Sequence, residues 1–377
     1  MEAKQRVPAP RDRAAHHVGC QRVGDDQISL RRHANKTEKQ PTAQESGESR
    51  FTVSRLGCAR LMGEPGRLRR LAFHYVGREN LKMLRDSIDM LKGAAADIWR
   101  HRTYRPVLIR EIRTALTVLG IVRGDTLLIH SAIGKLSRSG PAIDRAFDPV
   151  KYADDLLAML LDLVGPEGTI LVPAAPHMPG YELAVRGEIF DAKKTAAGTG
   201  LLPNLVVALP DSIRSLAPWQ NIAAIGHRAG ELVRYHLLSA PYAMGPGSPW
   251  HKLNEVGGKV ALLGVGHDRS STVHVLENTH PDEYPRPVFF NRPHTFRFID
   301  ENGSIGTVDA FLHAVRWHDD DIVRFCCYVG GRHGIYRSVP LGRTSLTVFS
   351  ATDQYKAFLA EMQLGVSMFD PAFWVSP

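Results

Sequence analysis

The sequence predicts an α/β fold, a three-layer α/β/α sandwich with a mixed sheet, preceded by a disordered N-terminal extension. Three observations carry that prediction. Short continuous apolar runs, Thr126 to His130, Thr169 to Val172 and Val260 to Leu263, read as strands buried on both faces. Helical periodicity separates them. The first 66 residues are rich in Arg, Gln, Ser, Gly and Pro, and they show neither a period of two nor one of 3.6.

The elements follow in chain order. Met1 to Gly66 forms the basic extension, and residues 67–377 form the α/β domain. Leu71, Phe73, Val76, Leu81, Leu84, Ile88, Leu91 and Ile98 recur at helical spacing and predict one or two amphipathic helices leading into the core. A short helix from Leu108 to Leu119 stops at Gly120, and the strand Thr126 to His130 follows Gly124-Asp125. Asp154 begins a strongly apolar helix that Gly165-Pro166 ends, ahead of the strand Thr169 to Val172. Leu201 to Leu209 and Ile222 to His236 read as further helices, with Val260 to Leu263 as the third buried strand. Beyond Pro293 the pattern changes to alternation: Thr295 to Ile299, a turn at 300–303, and stretches near Phe325 to Val329 and Ser345 to Phe349 predict antiparallel strands extending the same sheet. A last helix covers Gln354 to Met362.

Charge and cysteine usage narrow the function classes. The chain of 377 residues has a formal charge of +8. Residues 1–70 hold 15 Lys/Arg against 8 Asp/Glu, which leaves 32 against 31 for the remainder. The predicted domain is therefore nearly neutral, and nucleic acid is not an expected partner. Cys20, Cys58, Cys326 and Cys327 have no CxxC spacing, a usage that fits a reducing cytoplasm. No run approaches the ~20 apolar residues of a membrane helix, so no membrane partner is expected either. The sequence contains no GxGxxG after the first strand, no GxxxxGK[ST] and no GxSxG, which removes support for the common phosphate loops and for a nucleophile elbow.

The segment Gly245 to Glu277 concentrates the chemistry. A Gly/Pro loop leads into a buried strand, a glycine-broken exit at Gly264 and Gly266, and then His274 and Glu277 three residues apart. Residues at i and i+3 share a helix face, so the imidazole and the carboxylate point into one cleft. That pairing suits proton transfer.

A set of blocks in fixed order accompanies it. These are Gly124-Asp-Thr-Leu-Leu-Ile-His-Ser131, Gly165-Pro-Glu-Gly-Thr-Ile-Leu-Val-Pro173, Phe190-Asp191 ahead of Gly200-Leu-Leu202, and Arg214-Ser215. Ala223-Ala-Ile-Gly226, His236, Gly247-Ser-Pro249, Gly257-Gly258, Leu262-Leu-Gly-Val265 and Thr272-Val-His274 to Glu277 complete the series. In this set the chain resembles the aminoglycoside 3-N-acetyltransferase family. The resemblance implies transfer of an acetyl group from acetyl-CoA to an amino group of an aminoglycoside or related amino sugar, a small-molecule amine; a cytoplasmic location is expected from the cysteine usage, with a homodimer as an option. The resemblance also implies His274 as general base with Glu277 as its orienting partner. His130, Ser131, Ala132 and Ser248 are expected toward acetyl-CoA, and Asp191 and His236 toward the acceptor.

Each residue also has a structural reading. His130 is a strand-end packing residue, His236 a helix terminator, and Ser248 the shaper of a turn. Three positions depart from the family's pattern: Ala217-Pro218 stands where His-Pro is usual, Asn204 where a Glu is common, and Ala174-Ala175 where a Thr follows the strand. A polycationic acceptor needs carboxylates to compensate its ammonium groups. Asn204 therefore opens an alternative acceptor, a less charged amino sugar such as a nucleotide-sugar or polysaccharide precursor. Two further alternatives stand, a non-catalytic sugar- or CoA-binding homologue and a metal hydrolase using His130, His274 and Glu277. The last has His-x-x-Glu rather than the His-x-x-x-His spacing that sets two imidazoles on one helix face, and no metal is expected.

Overall fold

The computed structural model describes residues 106–137, 147–314 and 319–369. The expected extension at 1–66 and the amphipathic helices between Leu68 and Arg102 lie outside the described residues. Among the described residues, no helix is long and apolar enough to cross a membrane.

A seven-stranded mixed sheet forms the middle layer. Its strands are β1 (Thr126–Ser131), β2 (Thr169–Pro173), β4 (Ile213–Arg214), β5 (Ile222–Gly226), β6 (Lys259–Leu263), β9 (Arg337–Leu341) and β10 (Thr344–Ser350). They run in the order β4-β5-β2-β1-β6-β10-β9. Strands β1, β2 and β6 are parallel, with Leu128 beside both Leu171 and Val260. The outer pairs are antiparallel. Because successive side chains point to opposite faces, Leu127 and Ile129 enter one core with Ile112, Leu116, Leu156, Leu160 and Leu202. Leu128, Leu171, Val260 and Leu262 enter the other with Leu232, Trp250 and Leu253. Helices Ile109–Val118, Pro149–Val164 and Leu201–Ala208 supply the first layer, and Ala229–Val233 and Pro249–Glu255 the second. The three-layer sandwich is as expected.

Local chemistry explains the element ends. The helix Pro149–Val164 starts five residues before the expected Asp154, because Asp148 accepts the N–H groups of Val150 and Lys151 and Pro149 sits in the first turn. At the end of β5, Gly226 has φ +117°, and a Cβ there would lie 2.3 Å from the Gly168 carbonyl oxygen. Only glycine permits that close approach of the loop before β2.

Three expectations are corrected. Ile222 to His236 is not one helix: Ile222–Gly226 is β5, paired antiparallel with β2, and the helix is only Ala229–Val233. Sheet pairing overrides the local apolar pattern there. The stretch Phe325 to Val329 is helical, within Asp319–His333; Ile322, Phe325, Cys326 and Val329 are all buried, and their spacing of three, four and seven residues is one helix face. Finally, β7 (His294–Ile299) and β8 (Ile305–Ala310) do not extend the main sheet but form a separate three-stranded sheet with β3 (Ile189–Phe190). Phe296 and Phe298 turn inward on it, and Phe296 stacks on Trp219 at 4.7 Å. By contrast, β9 and β10 do extend the main sheet as antiparallel strands. Cys326 carries a buried free thiol.

Candidate active site

In an open α/β sheet the ends of the parallel strands meet loops that approach a ligand. At this edge β6 turns out through Gly264, which has φ +72°. Short 3-10 turns follow at His267–Arg269 and Ser271–His274, then the helix Val275–Thr279. Burial of Val273 and Leu276 in one apolar cluster and Val275 in another pulls this turn inward. Asn278 locks it, its Nδ2 donating to the His274 carbonyl at 2.7 Å while its Oδ1 accepts the Met244 N–H at 3.3 Å.

His274 and Glu277 come together as expected: Nδ1 of His274 lies 2.8 Å from Oε1 of Glu277, and Glu277 is fully buried. The structure adds a residue that sequence reasoning missed. His313, in the segment after β8, places Nε2 3.2 Å from the same Oε1, and the two imidazole rings are 5.2 Å apart. It is held by the bridge between Phe289 and His313, whose rings are 4.8 Å apart. No local spacing announces it, because it lies 36 residues from Glu277.

The electrostatics of the trio are set by burial and hydrogen bonding. Burial alone would raise the Glu277 carboxyl, but hydrogen bonds from His274 and His313 outweigh it and hold it down to about 2. Burial lowers His313, partly offset by its bond to Glu277. An ionised carboxylate only accepts hydrogen bonds, so in neutral His274 the ring proton resides on Nδ1 and Nε2 is the basic nitrogen.

The other expected residues have these surroundings. His130, the penultimate residue of β1, is buried beside Trp250 with ring centroids 6.4 Å apart. Burial lowers it to about 4, and its Nε2 has no hydrogen-bond partner. Ser131 ends β1, half-buried and paired with Leu263. The Ala132 N–H, expected to face the acyl donor, is instead spent on the Leu263 carbonyl at 3.1 Å, continuing the sheet ladder. Ser248 is fully buried and caps the helix Pro249–Glu255, accepting the His251 N–H at 3.1 Å, so its hydroxyl oxygen shapes the loop.

His236 has both ring nitrogens engaged by the protein. Nε2 lies 2.7 Å from the Ala243 carbonyl, which must accept, so Nδ1 accepts the Ser215 hydroxyl at 2.6 Å. Burial lowers its pKa to about 4, and no ring nitrogen is left for an acceptor substrate. Asp191 is half-buried in the turn after β3, its Oδ1 taking the N–H groups of Lys193 and Lys194.

The departures from the family's pattern are structurally closed. Asn204 makes three hydrogen bonds, donating to the Ala197 and Gly200 carbonyls and accepting the Ala197 N–H, and so ties the preceding loop to its own helix. Ala217 is fully buried, and its N–H donates to Ser215 Oγ at 3.0 Å. The Ala174 carbonyl accepts from Arg214, whose guanidinium also binds Asn221 and the Ala192 and Thr195 carbonyls and lies over the Phe190 ring. Arg214 is thus the internal tie of this corner. A cavity of about 640 Å³ opens at the other edge of the sheet, near Gly120, Lys259 and Arg337. Its two cations are already held, Lys259 by Asp125 and the Gly120 carbonyl, Arg337 by the Val118 and Leu119 carbonyls.

Comparison with known proteins places this geometry. The family model described as aminoglycoside 3-N-acetyltransferase matches residues 135–363, which is more than half of the chain. An aminoglycoside N(3)-acetyltransferase III from Salmonella sp is 28% identical over 210 residues, covering 52% of this chain and 68% of that protein. A namesake from Serratia marcescens is 28% identical over 268 residues, 65% of this chain and 93% of that one. The fold matches the apoenzyme of aminoglycoside acetyltransferase AAC(3)-IVa with a TM-score of 0.54 at 23% identity, over 74% of this chain and 93% of that one. It also matches AAC-IIIb in binary complex with CoASH, with a TM-score of 0.53 at 23% identity, over 68% and 96%. The chain belongs to the aminoglycoside 3-N-acetyltransferase family and is an N-acetyltransferase.

Proposed function

We propose that the enzyme transfers the acetyl group of acetyl-CoA to a primary amine of an aminoglycoside or related amino sugar, with His274 as general base. The observation that carries this reading is the 2.8 Å contact between His274 Nδ1 and the buried Glu277 carboxylate. That contact orients the imidazole and stabilises the imidazolium formed when Nε2 takes a proton. The amine nitrogen attacks the thioester carbonyl carbon, the C–N bond forms, and the C–S bond breaks. The proton lost by the amine passes to His274 Nε2 and from there to the departing thiolate, giving free CoA. His313 shares the carboxylate oxygen and keeps Glu277 ionised, so that it acts as an anion beside the imidazolium.

Acetyl-CoA as donor is supported by the family and by the CoASH-bound relative of the same fold. The Ala132 N–H is engaged by the Leu263 carbonyl, while the Ser248 oxygen accepts the His251 N–H and keeps its own proton to donate, so Ser131 and Ser248 remain the residues expected toward the donor. On the acceptor side, Asn204 carries no charge and Asp191 is partly occupied by its own turn. An acceptor with few ammonium groups is therefore favoured over a fully polycationic one. The test is release of free thiol from acetyl-CoA with a panel of 2-deoxystreptamine antibiotics and simple amino sugars, with a chelator present throughout. Acceptor-dependent thiol release is expected, and its absence across the panel would overturn the reading.

A further inference from the structure

His274, Glu277 and His313 each offer one ligand atom, and these atoms lie within 4.8 Å of one another, with His274 and Glu277 buried and His313 partly buried. The shared carboxylate oxygen lies 2.8 Å and 3.2 Å from the two ring nitrogens, whereas a tetrahedral ion with ligands at about 2.0–2.2 Å sets its donors about 3.3–3.6 Å apart, so an ion that displaces the two ring protons spreads these side chains by a few tenths of an ångström. Two imidazoles and a carboxylate form a donor set that borderline divalent ions favour over hard ones. The layout in the chain is also that of a metal site, with two ligands three residues apart on one turn and a third brought in from 36 residues away.

A second observation points the same way. Glu277 Oε2 is buried and has no hydrogen-bond partner, although a buried anionic oxygen ordinarily secures a donor. Protons on the two imidazoles compensate only Oε1. A cation taken up by both carboxylate oxygens gives Oε2 a partner as well.

We propose that His274, Glu277 and His313 bind one divalent ion of the zinc class, and that its occupancy switches off acetyl transfer. The inhibitory half of this proposal rests on the function proposed above; the binding half does not. Coordination at His274 Nδ1 moves the ring proton to Nε2, the nitrogen that accepts the amine's proton, so the neutral imidazole is retained but the base is lost. No redox step is involved, and the ion leaves when a chelator takes it.

The test uses the full chain stripped with a chelator and then freed of it. Titration with zinc chloride by calorimetry is expected to show one saturable site per chain, and cobalt(II) is expected to give the visible bands of a tetrahedral N/O site. His313→Ala and Glu277→Gln each weaken binding at least tenfold, with His313→Asn as a second variant where either fails to fold. Magnesium chloride gives no binding. Absence of a saturable site, or a His313→Ala protein that binds zinc as the wild type does, overturns the proposal. Acetyl transfer measured in chelator separates the two readings: transfer without zinc binding sinks the metal site alone, and zinc binding through these residues without transfer sinks the proposed reaction alone.

Discussion

His236 and His274 are both buried histidines in the same domain, yet their networks have opposite character. His236 is held between a hydroxyl and a backbone carbonyl, neutral partners that fill both ring nitrogens and leave nothing to titrate at ordinary pH. His274 faces a fully buried carboxylate that also serves His313, in a network containing a net charge and an oxygen without a partner. Burial therefore does not tell a closed structural histidine from the one proposed as a base; the chemistry of its partners does. A neutral closed network rigidifies, whereas an ionised one stores the charge a proton transfer needs.

The largest effect expected from this comparison is on rate. Replacing His274 with Ala should lower acetyl transfer by about 10²–10⁴-fold, the usual contribution of a positioned base, while acetyl-CoA binding measured by calorimetry stays near wild type. A variant turning over within a few fold of wild type would remove His274 as the base. The matching change at the other histidine, His236→Ala, is expected to act on stability instead. It leaves a cavity and orphans both the Ser215 hydroxyl and the Ala243 carbonyl, costing about 2–4 kcal/mol. Urea unfolding measures that cost, and an unaltered rate per folded molecule completes the contrast; a rate loss without destabilisation would reverse the two roles.

A smaller effect distinguishes the networks by pH. Burial lowers His236, His130 and His267 from 6.5 to about 4, so the unfolded chain binds more protons than the folded one between those values. Stability is therefore fully present above pH 6.5 and falls as pH drops toward 4, by up to about 1.4 kcal/mol per pH unit for each group. His236→Phe should flatten that slope by one group's share, as read from unfolding at several pH values; an unchanged slope would contradict the neutral buried state. The smallest effect concerns Ser248. With the helix cap lost, Ser248→Ala should cost about 1 kcal/mol and, with the hydroxyl proton lost, raise KM for acetyl-CoA, whereas an unchanged KM would confine the residue to its cap.

Much of the sandwich was legible in the chain, because β1, β2 and β6 are apolar on both faces and only burial on both faces explains such runs. The pair His274 and Glu277 was legible for a different reason: three residues on one turn meet whatever the fold. The errors share a cause. Ile222 to His236 and Phe325 to Val329 are short apolar stretches whose period is ambiguous, and β7 and β8 alternate correctly but carry no mark of which sheet they join. At Ser248 and Ala132 a loop composition does not reveal that the serine oxygen accepts the His251 N–H or that the Ala132 N–H joins the sheet ladder, because those contacts depend on tertiary geometry.

By itself, the sequence determined the layer architecture, the family blocks and the local His274–Glu277 unit, since each depends on patterns a few residues long. Tertiary structure alone decided that His313 completes the trio, that His236 is closed off by Ser215 and Ala243, and that Asn204 is bound to its own loop. Those contacts join residues that are distant in sequence or depend on backbone geometry. Periodicity carries no record of partners brought together by the folding of a whole sheet.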